Sequence, residues 1–172
     1  MRKIMFLGRS ESGKTTIMQA MKGEKIKYHK TQYVNHYDVI IDTPGEYAET
    51  KELSGALAVY GCEADVIGLL MSATEPFSLY PPNVTSVSNR EVVGVVTKCD
   101  HWAANKEMAA QWLRIAGCKK IFYTSAYTGE GIAELLSFLK EPVDVLPWEV
   151  AKKEADSLEF GEGASARHTL RV

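Results

Sequence analysis

The octet Gly8–Thr15, GRSESGKT, fits the pattern G-x-x-x-x-G-K-[ST]. That spacing suits one task, the wrapping of a polyphosphate. Backbone N–H groups of the loop must turn toward phosphate oxygens, and Gly8 and Gly13 permit the tight turn and close approach. A helix starting near Lys14 aims its positive end at the same charge. Lys14 reaches the β and γ phosphates as a mobile cation, and the Thr15 hydroxyl is placed to ligate Mg²⁺. The phosphate shell expected on this basis is Gly8, Arg9, Ser10, Glu11, Ser12, Gly13, Lys14, Thr15 and Thr16.

Further strings extend the chemistry. Asp42-Thr43-Pro44-Gly45 follows the apolar run Tyr37–Asp42. An acid at the end of a strand beside a phosphate loop is a second anchor for Mg²⁺, and the Gly45 N–H can meet a γ-phosphate and register its loss. Thr97-Lys98-Cys99-Asp100 closes another apolar run. The Asp100 carboxylate can accept from guanine N1–H and N2–H₂, a donor pair that adenine lacks. Lys98 can lay its aliphatic stem across the base, and Thr97 can tie this loop to the phosphate loop. In Thr124-Ser125-Ala126, one strand later, Ser125 lines the same loop end and the Ala126 N–H can donate to guanine O6.

These residues need a scaffold of strand ends. Lys3–Leu7, Tyr37–Asp42, Asp65–Ser72, Glu91–Thr97 and Lys119–Thr124 are short apolar runs. Between them Lys14–Met21, Glu49–Cys62, Ala104–Ala116 and Gly131–Leu139 read as helices, the last with Ile132, Leu135, Leu136 and Leu139 on one face. The alternation predicts an α/β protein, and the near-continuous apolar runs predict strands covered on both faces. Ala73–Asn89, with Pro76, Pro81 and Pro82, reads as a long loop.

The 172 residues, 45% hydrophobic and 24% charged, suit a soluble globular chain. The net charge of −2 argues against a general nucleic-acid or anionic-membrane binder. No apolar run reaches membrane-helix or signal-peptide length, so no membrane insertion is expected. Cys62, Cys99 and Cys118 show no paired spacing, which argues against a disulfide framework or zinc site and for a reducing, cytoplasmic setting. Cys99, inside the expected base loop, is a candidate target for thiol reagents. His29, His36, His101 and His168 form no triad-like set, and Trp102, Trp112 and Trp148 read as packing residues. Residues 1–140 carry +1 and form the expected nucleotide-binding domain, whereas 141–172 carry −3 and read as an acidic tail. In that tail Trp148–Phe160 suits a short amphipathic helix, and Gly161–Val172 suits a poorly ordered end.

GRSESGKT, DTPG, TKCD and TSA, in that order, resemble the Ras-like GTPase superfamily, its Era/TrmE branch above all, over about residues 3–139. A narrower likeness joins KTQYVNHYDVIIDTPGEYAE, ADVIGLLMSAT, Tyr80-Pro81-Pro82 and VVGVVTKCD to the EutP/PduV family of ethanolamine and propanediol utilisation. The resemblance implies a three-layer P-loop NTPase fold, with a mostly parallel central sheet and helices on both faces. It implies Mg²⁺ and GTP or GDP as cofactors, with ATP as the alternative, and microcompartment shell or enzyme proteins as partners.

It also assigns Thr31 as the switch threonine closing over Mg²⁺, beside Thr15 and Asp42. Glu46 stands directly after DTPG, where Ras-type proteins place a water-orienting glutamine. A carboxylate there adds charge near the γ-phosphate, so slow hydrolysis is expected, with Lys14, Thr31 and Glu46 as the catalytic set. Glu11 replaces an asparagine that the related branch uses for potassium, and is expected to point outward. Three functions are compatible with these residues: a slow GTPase switch or assembly factor, an ATP-dependent acetate kinase in which Arg9 meets the acetate, and a non-enzymatic nucleotide-binding adaptor on a microcompartment shell.

Overall fold

The computed structural model describes residues 1–22, 35–36, 40–42, 55, 62–142 and 144. The chain divides into two units, Met1–Leu139 and Lys140–Val172. The expected helices Glu49–Cys62 and Trp148–Phe160 lie outside the described residues, apart from a helical Gly55 and an exposed Cys62 in a turn. So does the end at Gly161–Val172.

In the first unit the strands are β1 (Ile4–Gly8), β2 (Asn35–His36), β3 (Ile40–Asp42), β4 (Val66–Ser72), β5 (Glu91–Thr97) and β6 (Ile121–Tyr123). They form a sheet in the order β2-β3-β1-β4-β5-β6. The pairs from β3 through β6 are all parallel, and β2 alone runs antiparallel, pairing Asn35 with Asp42. Helices α1 (Lys14–Met21), α2 (Lys106–Ile115) and α3 (Ile132–Leu139) pack on this sheet.

β1 and β4 are buried at every position. Alternation along the strands divides the core between two faces. Met5, Leu7, Ile67, Leu69 and Met71 meet Ala109, Ala110 and Leu113 of α2 on one face. Ile4, Phe6, Val66 and Leu70 meet Ile17 and Met18 of α1 and Leu135 and Leu139 of α3 on the other. This is the expected three-layer α/β arrangement of a P-loop NTPase fold.

Differences from expectation have local causes. α2 begins at Lys106 rather than Ala104 because Asn105 caps it, its side chain accepting from the Met108 N–H at 3.0 Å. β2 is not foreseeable, since a two-residue strand carries no periodicity. Ala73–Asn89 contains a 3₁₀ turn at Val84–Val87 and a fully packed Tyr80. Trp102 is 92% exposed, not a packing residue, because it sits in the turn after β5. Trp112 does pack against the α2-side core, and Trp148 lies outside the described residues.

Candidate nucleotide site

The strand order reverses direction around β1, with β3 to one side and β4 to the other, and parallel α/β sheets bind ligands outside strand ends at such a point. The loop leaving β1 there is Gly8–Gly13. A Cβ on Gly8 would come within 2.7 Å of Ser12 Oγ and 3.0 Å of the Leu70 Cβ and carbonyl oxygen, so only glycine lets the chain turn so close to β4. Gly13 has φ +95° and leads directly into α1. Glu11, at φ 63°, and Lys98, at φ 55°, take the left-handed conformation as non-glycine residues. One lies in each expected ligand loop, and backbone strain concentrates at functional sites.

Lys14 is buried, and its Nζ donates to the carbonyls of Gly8 at 2.8 Å and Arg9 at 2.7 Å. The ammonium therefore sits inside the loop that the α1 N-terminus closes. Thr15 and Thr16 occupy the first turn of α1. Glu11 is exposed, as its charge demands. Ser12 is fully buried, and its Oγ has no hydrogen-bond partner among the described residues.

The base-loop residues converge on the same strand ends. The Thr97 hydroxyl, buried, donates to the Ser12 carbonyl and so ties TKCD to GRSESGKT. The Cys99 N–H donates to the Thr124 carbonyl at 3.1 Å, and the Thr124 N–H to Val96 at 2.7 Å, joining TKCD to TSA. Ser125 is buried, its N–H donating to the Glu130 carbonyl at 3.0 Å, and its hydroxyl accepts from the Thr128 N–H at 3.1 Å. Lys106 of α2 holds the Glu130 side chain at 3.0 Å, which steadies the loop carrying Ala126. Asp100 stands exposed at the end of this constellation.

Asp42 ends β3, its Cα paired with Phe6 of β1. Thr31, Gly45 and Glu46 lie outside the described residues. Cys99 is not an accessible thiol. It is 6% exposed, its Sγ lies 3.6 Å from the Val96 carbonyl, and burial raises its pKa.

The segment after β4 adds Tyr80, already part of the Tyr80-Pro81-Pro82 string, and Glu75 and Phe77, which the motifs did not single out. The Tyr80 hydroxyl bridges the carbonyls of Leu7, at 3.0 Å, and Leu70, at 2.6 Å. Burial pushes its phenol well above the ordinary range, with the Glu75 charge adding to the effect. Phe77 lies 5.8 Å from the Arg9 guanidinium. Glu75 is half-buried and lies within the electrostatic reach of Arg9, Lys98 and Lys14. A single buried aromatic in a proline-rich stretch, Leu79-Tyr80-Pro81-Pro82, is the signal that marks this segment as anchored.

Residues 1–141 match a protein family described as ethanolamine utilisation – propanediol utilisation, PduV–EutP. The chain belongs to the PduV–EutP family. A propanediol utilization protein PduV from Citrobacter freundii is 42% identical over 140 residues, covering 81% of this chain and 93% of that protein. A protein named probable acetate kinase EutP from Escherichia coli K12 is 27% identical over 142 residues, covering 81% and 89%. GTPase Era of Corynebacterium glutamicum is 26% identical over 172 residues, covering 84% of this chain and 54% of that protein. The PduV–EutP likeness thus spans the whole sheet unit, and the Era likeness relates it to P-loop GTPases. Among the described residues no helix is long and apolar enough to cross a membrane.

Proposed function

We propose that the chain binds a guanine nucleotide with Mg²⁺ and hydrolyses GTP slowly, as a switch or assembly factor in propanediol or ethanolamine utilisation. The observation that carries this reading is the Thr97–Ser12 hydrogen bond, because it holds a guanine-selective carboxylate loop against a phosphate loop. The donor chemistry suits the ligand: a buried ammonium, a helix N-terminus and glycine turns for phosphates, and Asp100 for a base with paired donors.

Thr15 and Asp42, with Thr31, would hold Mg²⁺, which would supply neutralisation of the phosphate charge. Lys14 and the loop N–H groups from Glu11 to Thr16 hold the phosphates in line. Glu46 orients a water whose oxygen bonds to the γ-phosphorus as the bond to the β–γ bridging oxygen breaks. GDP leaves with that oxygen, and the water proton passes to the phosphate product.

The names of the EutP relatives favour a second reading, ATP-dependent phosphoryl transfer to acetate. Arg9 is the cation expected to receive acetate, but its guanidinium already lies over the Phe77 ring at 5.8 Å, which weighs against that role. A shell-bound adaptor is the third reading, through residues outside the described set.

Calorimetric titration of GTP, GDP, ATP and ADP with Mg²⁺, followed by turnover with and without acetate, separates the three. Guanine selectivity with slow, acetate-independent turnover is the expected result. ATP preference with acetate-dependent ADP release would establish the kinase, and binding without turnover the adaptor. Asp100→Ala is expected to erase guanine preference; selectivity that survives it would refute the base-site assignment.

A further inference from the structure

The segment between β4 and β5 lays a tyrosine across the strand ends from which the phosphate loop departs. Tyr80 is buried and belongs to the core on the α2 face. Phenylalanine would fill that volume with no oxygen to satisfy, and a buried hydroxyl costs free energy unless it is hydrogen-bonded. The Tyr80 oxygen finds its partners on the backbone. Its one proton is shared between the Leu70 carbonyl at 2.6 Å and the Leu7 carbonyl at 3.0 Å. Pro81 and Pro82 follow directly and fix φ there. Beyond them the segment is fastened again, the Asn83 N–H donating to the Ile115 carbonyl at 2.8 Å and the Thr85 N–H to the Ala116 carbonyl at 3.2 Å.

The two carbonyls that Tyr80 holds stand where the ligand loop begins. Leu7 directly precedes Gly8, and Gly8 pairs in register with Leu70. The Leu70 oxygen that takes the Tyr80 proton would lie only 3.0 Å from a Cβ on Gly8, and Ser12 Oγ 2.7 Å from it. No side chain fits there, so the loop must start on a glycine, the residue with the widest backbone freedom. The Gly8 carbonyl is one of two that receive the Lys14 ammonium, at 2.8 Å, beside that of Arg9 at 2.7 Å. A single flexible residue thus separates the carbonyl fastened by Tyr80 from the carbonyl that fixes Lys14.

We infer that Tyr80 is a positioning residue of the phosphate site: its hydroxyl fixes the peptide that enters the phosphate loop and, through the Gly8 carbonyl, sets where Lys14 stands for nucleotide phosphates. The inference rests on the nucleotide reading above and concerns its phosphate half. The base loop hangs on a different bond, from Thr97 to Ser12. Tyr80, being buried, acts through the backbone it holds rather than by touching a ligand. Loss of the hydroxyl therefore weakens binding of every polyphosphate alike and leaves the choice between bases unchanged.

The test is calorimetric titration of Mg–GTP, Mg–GDP, Mg–ATP and inorganic triphosphate with Mg²⁺ into the full chain carrying Tyr80→Phe, which keeps the ring. Val84→Ala is the control, because Val84 is buried in the same core and the same segment but holds neither carbonyl. Tyr80→Phe is expected to bind GTP, GDP and triphosphate about tenfold more weakly, the size of one net hydrogen bond, with the wild-type ratio of GTP to ATP affinity. Val84→Ala is expected to melt lower and to bind like wild type. Wild-type affinity in Tyr80→Phe overturns the inference, as does a changed GTP-to-ATP ratio. So does a loss of affinity that both variants share in proportion to their fall in Tm, the mark of a purely structural residue.

A second measurement needs no variant. A bond that strengthens ligand binding is strengthened by the ligand in return. Saturating Mg–GDP is therefore expected to slow hydrogen exchange about tenfold at the Tyr80 N–H, which donates to Ser78 Oγ at 3.0 Å, and at the Asn83 N–H. Unchanged exchange at both overturns the inference. Failure of the wild-type chain to bind either guanine nucleotide refutes the nucleotide reading. The triphosphate comparison then decides the role of Tyr80 by itself, and absence of triphosphate binding overturns that role too.

Discussion

Thr97→Val removes one hydroxyl and almost nothing else. The side chain keeps its β-branched shape in β5 and its burial, but the donor to the Ser12 carbonyl is lost. A net hydrogen bond contributes about 1 kcal/mol, and leaving a buried acceptor without its donor costs about 1–3 kcal/mol. The expected loss is therefore near ~2 kcal/mol, which for a chain of this size lowers Tm by about 4–8 °C. The same bond joins base loop to phosphate loop. If nucleotide binding uses that join, up to the whole of it is felt in affinity, at most about thirtyfold for guanine nucleotide. Thermal melting by circular dichroism and calorimetric titration measure the two effects, with Thr97→Ser, which retains the hydroxyl, as the reference. A Thr97→Val chain that melts and binds like Thr97→Ser would refute the claim that this hydroxyl couples the loops. A lower Tm with unchanged affinity would confine the bond to stability.

Other outcomes rest on burial and charge. Ser12→Ala removes an orphaned buried hydroxyl and is expected to melt at or above the wild-type temperature; a fall of several degrees would mean that Oγ has a partner in solution. In the folded chain a thiol reagent is expected to label the exposed Cys62 quickly and to leave Cys99 and Cys118 unlabelled until unfolding; burial pushes the Cys118 pKa up to about 12, and immediate reaction of all three would contradict their burial. Without nucleotide, Glu75→Gln is expected to melt above wild type at neutral pH. The raised Glu75 pKa means that folding favours the protonated carboxyl, so its stabilising share is present at acid pH and lost as pH rises through the folded-state value; the gap between the two chains closes on acidification, and a gap that widens would reverse the assigned sign.

Where side chains repeat with a period or a motif, the sequence is legible. Val66–Met71 and Val93–Val96 are apolar and buried throughout because both sheet faces are covered, and a run of that kind has few other uses. Thr97 is foreseeable as a bridge because it closes a strand two neighbours away from β1, whose exit is the phosphate loop. The Ala73–Asn89 segment is not legible in the same way. Its prolines announce irregular backbone, but they do not reveal that Tyr80 reaches back to two strand carbonyls. The Tyr80 bonds depend on contacts across the chain, from residue 80 to residues 7 and 70. Trp102 misleads for the opposite reason: large aromatics usually pack, yet a tight turn after β5 leaves this one outside.

That exposed indole gives the molecule an optical reporter of its own. Trp102 lies two residues beyond Asp100, with its ring 5.6 Å from the His101 imidazole, while Trp112 is packed against the core. Emission from Trp102 is open to aqueous quenchers. Occupation of the Asp100 loop can therefore be followed by native fluorescence, with a Trp102→Phe chain separating its signal from those of Trp112 and Trp148.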